Sequence, residues 1–307
     1  MNVTAISGGV GAAKLLVGLG RALGGPGLTA VVNTGDDEVI YGVHVSPDVD
    51  IVTYWLAGIA DTGRGWGIAE DTFNVVEGLR ELGDEAWFNL GDRDFATCLL
   101  RTLMLGSGAT LTEVTARVAA ALGVIPAVVP MSDDRVRTKI SCADGRTLAF
   151  QEYFVRERCA PEVTGVSFDG AGEAGPAPGV LDAISGADVV VVCPSNPLVS
   201  IGPVLAVPGV RAAVAAHPFV VAVSPIVGGA ALKGPADRML VSTGHESSAA
   251  AVAAMYADVC DHFVVDERDA DEIADVEALG PACSAADTVM NDGTAAEKLA
   301  RYVLGLR

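Results

Sequence analysis

A chain of 307 residues, 50% hydrophobic and 19% charged, is long and apolar enough to bury a sizeable core. Its formal net charge of −19 excludes polyanions as natural partners, because such a surface repels nucleic-acid phosphates and anionic lipid headgroups. Aromatic residues make up only 5%, so the core has to come from Val, Ala, Leu and Ile, the composition of parallel strands covered by helices.

Asn2–Ser7 reads as a short buried strand. The Gly-rich turn Gly8-Gly9-Val10-Gly11 follows, then an apolar helix to about Leu23. Thr29–Asn33 reads as the next strand, ending in Asn33-Thr34-Gly35-Asp36-Asp37, which completes the start of a βαβ unit. Ser46-Pro47-Asp48 has the form of a helix start, with a hydroxyl cap, proline at the first position and acid in the first turn. That helix runs on through Ile51–Ile59. Helices are predicted over Asp71–Leu82, Asp94–Leu105 and Leu111–Leu122, the last with Thr110 and Glu113 at capping-box spacing. Two strand-like runs between Arg135 and Val155 flank Asp144-Gly145, the composition of a tight hairpin. Cys159–Pro178, rich in Gly, Ala and Pro, reads as a surface connection. Continuous apolar runs resume at Asp188–Cys193, Phe219–Ser224 and His262–Asp266. Helical stretches such as Ser247–Val259 lie between them, and Ala295–Leu304 closes the chain.

The expectation is one α/β domain over residues 1–307. Its core is a doubly wound, mainly parallel Rossmann-like sheet, with a helical and β-hairpin insertion at about 60–160. The six cysteines form no C-x-x-C pair and no zinc spacing and read as reduced thiols. No uninterrupted apolar run spans a bilayer, and the N-terminal residues read as a strand rather than a leader. A cytoplasmic location is therefore expected.

An acidic protein that binds a phosphate ligand needs local help from backbone N–H groups, a few basic side chains or a divalent cation. Gly8-Gly9-Val10-Gly11-Ala12-Ala13-Lys14, between a strand and a helix, offers such backbone groups at a helix N-terminus. It is not a Walker A loop, because Leu15 follows Lys14, and Lys14 replaces the third glycine of a dinucleotide fingerprint. A tight βαβ turn without a ligand is the plainer account of it. Asp36, Asp37, Asp48, Asp50 and Asp61 fall at strand ends and helix starts, where clustered carboxylates suit Mg²⁺; singly, each could complement a dipole or end a helix. Leu90-Gly91-Asp92-Arg93-Asp94 presents a guanidinium among carboxylates, or simply caps the next helix. Pro194-Ser195-Asn196-Pro197 is a stiff polar loop that could line a pocket or merely turn the chain. The four histidines lack ligand spacing, no G-x-S-x-G is present, and Trp55 and Trp66 read as core residues before ligand-stacking ones.

In this order the segments resemble the 2-phospho-L-lactate and phosphoenolpyruvate transferases of coenzyme F420 biosynthesis. The resemblance rests on SGGVGAAKLL at Ser7–Leu16, VVNTGDD at Val31–Asp37, SPDVD at Ser46–Asp50 and RGWGIAEDTF at Arg64–Phe73. LGDRD at Leu90–Asp94, PMSDDRVRT at Pro130–Thr138, FQE at Phe150–Glu152, PSNPLVSIGP at Pro194–Pro203 and SPIVGG at Ser224–Gly229 extend it over nearly the whole chain. It implies transfer of a phospholactyl or phosphoenolpyruvyl group from a GMP-activated diphosphate donor to the ribityl hydroxyl of the deazaflavin Fo, with release of GMP. It implies Mg²⁺ as cofactor, small molecules as partners and a homodimer. By motif, Asp36 and Asp50 would hold the metal and carry catalysis, and Asp48 and Asp50 would approach the ribityl end. Asn89, Asp92 and Arg93 would seat the acceptor, although some relatives have a basic residue where Asn89 stands. Gly9, Gly11 and Lys14 would meet the donor phosphates, and Ser195, Asn196 and Pro197 would border the guanosine. The alternative is a nucleotide-sugar-binding regulator of the same superfamily. A third reading, an NAD-dependent oxidoreductase, would use Asp36 for the ribose, but Lys14 breaks its fingerprint. On the transferase reading, Asp50→Ala is expected to abolish turnover and leave the fold intact, checked by assay alongside circular dichroism.

Overall fold

Valine-rich runs too short for helices pair side by side in the computed structural model, which describes residues 1–307. Strands β1 (Val3–Ser7) and β2 (Leu28–Val32) are followed by a small hairpin, β3 (Glu38–Ile40) and β4 (Val43–Val45). After β5 (Ala127–Pro130) come β6 (Arg137–Cys142), β7 (Thr147–Ala149) and β8 (Val163–Asp169), then β9 (Val189–Val192) and β10 (Val220–Val223). A two-residue hairpin, β11 (Ile226–Val227) and β12 (Ala230–Ala231), precedes β13 (His262–Asp266) and β14 (Ala282–Ala286). Seven of these strands form one sheet in the order β14-β13-β10-β9-β1-β2-β5, every neighbouring pair parallel.

The period of two in each strand builds two cores. Val190 and Val192 of β9 face a cluster of 31 buried residues on one side of the sheet. Val189 and Val191 face a cluster of 24 on the other. On that second face lie helix α1 (Gly9–Leu23), helix α2 (Pro47–Leu56) and the C-terminal helix Gly293–Leu304. Helices α3 (Asn74–Glu81), α4 (Asp92–Gly106) and α5 (Leu111–Ala121) complete the first half. The Thr110–Glu113 capping box forms as the spacing predicts. No helix is long and apolar enough to cross a membrane.

Several boundaries differ from the sequence reading for local reasons. Ser46 occupies the cap position of α2, yet its hydroxyl donates to Asp37 Oδ2 at 2.7 Å instead of capping the helix. Cys159–Pro178 is more than a connection: it contains β8, the partner of β6 in the antiparallel sheet β7-β6-β8. Partial exposure of β8 and Gly165 within it conceal the apolar alternation of a strand. The excursion at about 60–160 also returns once to the main sheet, where β5 pairs with β2. The partly exposed, alanine-rich edge strand β14 carries no strand signal of its own.

From β1 the chain steps to β2 on one side and returns to β9 on the other. The crevice at this switch of direction, outside the carboxyl ends of β1, β2 and β9, is where α/β sheets of this kind bind ligands. Close packing of α1 on the C-terminal helix holds it in place. A Cβ at Gly18 would come within 2.2 Å of the Ala296 carbonyl oxygen. Gly18→Ala is therefore expected to lose on the order of 1–3 kcal/mol net of its helix-propensity gain, read from the urea midpoint.

Candidate active site

A cavity of about 720 Å³ opens in this crevice. Its floor is the turn after β1. Gly9 has φ +72, and a Cβ at Gly11 would lie 2.2 Å from the Pro194 carbonyl oxygen, so only glycine lets the loops after β1 and β9 touch there. Ser195 ties the same two loops, its hydroxyl donating to the Gly8 carbonyl at 2.6 Å. Asn196 accepts from the backbone N–H of Leu198 and Val199, capping the turn that follows. Lys14, one turn into α1, donates to the Met290 carbonyl at 2.8 Å, with Trp55 below it.

Beside the Gly-rich loop lies a group of buried acids. Asn33, at the end of β2, donates to Asp36 Oδ1 at 3.1 Å and to Asp48 Oδ2 at 2.9 Å, and Gln151 donates to Asp36 Oδ2 at 2.9 Å. Neither carboxylate has a Lys or Arg partner. Burial, reinforced by the charges of Asp48 and Asp37, holds Asp36 well above the usual carboxylate range. Burial lifts Asp48 to about 7 against the donors that favour its charged form. Gly8 leaves room for this arrangement, since its Cβ would sit 2.5 Å from Asp48 Oδ2.

Asp50 belongs to a different set. Arg101 on α4, 1% exposed, grips both its oxygens, Nη1 to Oδ2 at 3.0 Å and Nη2 to Oδ1 closer still, and also donates to the His44 carbonyl at 3.1 Å. Asp94 and Cys98 complete that cluster, and Tyr54 donates to Asp94 Oδ1 at 2.8 Å. Burial and the nearby Asp50 charge raise Asp94 to about 7. Asp36 thus shares a donor with Asp48, not with Asp50, whose oxygens are already engaged by a guanidinium. Trp66, Phe88, Phe150 and Phe154 add aromatic surface to the lining.

The family model described as 2-phospho-L-lactate transferase CofD matches residues 3–304. The chain belongs to this family. A phosphoenolpyruvate transferase of Kitasatospora aureofaciens is 45% identical over 313 residues, covering 100% of this chain and 98% of its own. A 2-phospho-L-lactate transferase of Methanosarcina mazei is 42% identical over 299 residues, covering 97% of this chain and 98% of its own. Among solved structures, a UPF0052-family protein from Bacillus halodurans superposes with a TM-score of 0.64 over 99% of this chain and 98% of its own, at 18% identity, which shows a shared fold.

Of the residues singled out from the sequence, Gly9, Gly11, Lys14, Asp36, Asp48, Asp50, Asn89, Ser195 and Asn196 line the cavity of this transferase; Asp92, Arg93 and Pro197 do not. Asp92 is engaged elsewhere, accepting from Thr72 Oγ1, from Asn74 N and Nδ2 and from Val75 N at the start of α3. Asp71 in turn accepts from the N–H groups of Arg93 and Asp94 at the start of α4, so the two helices exchange caps. The exposed Arg93 side chain reaches only the Ala69 carbonyl, at 3.4 Å. Pro197 starts the capped turn behind the pocket. Asn89 accepts from Arg80 Nη2 at 3.0 Å. Trp66, read as a core residue, lines the cavity with Arg64 above its ring. Asp94 and Arg64 fall within motifs quoted from the sequence but were given no place in the site, whereas Tyr54, Lys233 and the segment Thr288–Asn291 escaped the sequence reading, because each is brought in by tertiary contact and no local pattern marks it.

The ion pair also corrects the expectation that Asp50→Ala would leave the fold intact. Removing the carboxylate leaves Arg101 buried without a counter-charge. The variant is expected to lose about 3–5 kcal/mol of stability as well as activity, whereas Asp50→Asn, which keeps an acceptor, should lose less. Parallel denaturation curves of the two variants check this.

Proposed function

We propose that this transferase moves a phospholactyl or phosphoenolpyruvyl group from a GMP-activated diphosphate donor to the ribityl hydroxyl of Fo, releasing GMP. The observation that carries the reading is one cavity lined by a Gly-rich loop, by buried carboxylates without a lysine or arginine partner and by several aromatic side chains. Its volume is of the size that holds small ligands. The acceptor oxygen would form its bond to the phosphorus bearing the acid as the bond to the GMP oxygen breaks. Such a displacement depends on alignment and on offsetting negative charge, and it requires no covalent nucleophile.

The residues divide that work. Backbone groups around Gly9 and Gly11, with Lys14, would take the diphosphate, and Ser195 and Asn196 would border the guanosine. Asp50, held in one orientation by Arg101, would accept from acceptor hydroxyls. Asp36 and Asp48 are hard oxygen donors, buried together without a counter-cation, and this donor set fits Mg²⁺. Bound there, the ion would supply positive charge to offset the diphosphate. This differs from the pair expected by motif, because Arg101 already neutralises Asp50.

Fluorescence titration of Fo tests the reading. Saturable binding that tightens with GDP and Mg²⁺ is expected, and no binding under any condition would overturn it. A second outcome follows from the raised carboxyls. The folded protein holds a proton on Asp48 up to about 7, whereas an unfolded aspartate loses it near pH ~4. Without a cation, stability therefore falls as pH rises through this window. Mg²⁺ is expected to raise the thermal midpoint strongly at pH ~8 and little at pH ~5, since it needs the ionised pair.

A further inference from the structure

Positive charge is scarce in this chain, and lysine especially so: there are four lysines, and two of them, Lys14 and Lys233, line the cavity. Acids outnumber bases 39 to 20, yet neither of these lysines has a carboxylate partner. Each ammonium donates instead to a neutral backbone oxygen, Lys14 to Met290 and Lys233 to Arg64 at 3.1 Å. Burial, and then the charge of Lys233, hold the Lys14 ammonium below its ordinary value. Two mutually repelling cations facing one cavity, neither offset by a carboxylate, favour an anion between them.

Lys233 is also placed to act on the Gly-rich loop. It follows the β11–β12 hairpin, whose turn is anchored by Gly228 N–H donating to both oxygens of buried Asp269, at 2.8 and 3.0 Å. From there it reaches across to the turn 61–67, which Asp61 organises by accepting from Gly63 and Arg64 N–H. Gly65 is the point of contact. A Cβ there would stand 2.7 Å from Lys233 Nζ and 3.3 Å from Val10 Cγ1 of the Gly-rich loop. Two segments distant in sequence, the turn 61–67 and Lys233, therefore stack over the start of α1, and the ammonium rests against a carbonyl that a charged oxygen would readily replace.

We propose that Lys233 is a second donor-binding cation which, with Lys14, grips the diphosphate of the donor by exchanging the Arg64 carbonyl for a phosphate oxygen. This rests on the donor reading above and extends it to a residue supplied by the second half of the chain. The test is calorimetric titration of GDP and of GMP, with Mg²⁺ present, into the full-length protein and its Lys233→Gln and Lys233→Arg variants. The side chain is exposed, so both variants should fold. Lys233→Gln is expected to weaken GDP about tenfold and GMP by less than about twofold, and Lys233→Arg to restore most of the GDP affinity. Unchanged GDP affinity, or equal losses for GDP and GMP, would overturn the clamp and leave the transferase reading standing. Failure of the unaltered protein to bind GDP at all would overturn the donor reading, and the clamp with it.

Discussion

Four aspartates, Asp36, Asp37, Asp48 and Asp50, are buried close together in sequence with an arginine beside only one of them, and this is the constraint on which the site is built. A carboxylate removed from water is strongly destabilised unless donors or opposite charge surround it. Asp50 meets the requirement through Arg101, which ties α2 to α4. Asp36 and Asp48 meet it only in part, through the shared amide of Asn33 and the side chain of Gln151. The second pair is therefore a place where positive charge is favoured, and it lies beside a loop suited to phosphate. A phosphate ligand and a divalent cation would stabilise each other there, although the protein as a whole is acidic.

The same constraint accounts for the arrangement of the layers. The early strands and α2 supply the acids; α4 supplies the guanidinium; β6, β7 and the turn after them bring Gln151 to Asp36. The second half closes the crevice from the other side through Ser195, Lys233 and the Met290 carbonyl. Parallel pairing of β1 with both β2 and β9 makes this possible, since it sets the carboxyl ends of strands nearly 190 residues apart in sequence next to one another. Gly11 and Gly18 then set the closeness of approach: at each a methyl group would collide with a carbonyl oxygen of a neighbouring segment.

Much of this was legible in the chain. The valine-rich runs, the Gly-rich turn, Pro47 with acids behind it and the Thr110–Glu113 box are local signals, and each formed the element it predicted. The motif order identified the family, and nine of the twelve residues it singled out for the site line the cavity. What misled was local plausibility. Asp92 and Arg93 sit in a loop that reads like a polar site, but the loop is occupied with an exchange of caps between α3 and α4. Asp71, which caps α4 from a distance, read as the start of its own helix.

Residue order by itself thus determined the βαβ start, the parallel class of the sheet and the presence of a Gly-rich turn after the first strand, because these follow from periodicity and short-range sterics over a few neighbouring residues. Only the tertiary structure decided which acid pairs with which partner. Asp48 and Asp50 are two residues apart on one helix, yet one turns toward Asn33 and Asp36 and the other toward Arg101, more than fifty positions away. Burial and charge compensation are properties of the space around a side chain. No spacing along the chain encodes which distant donor will fill that space.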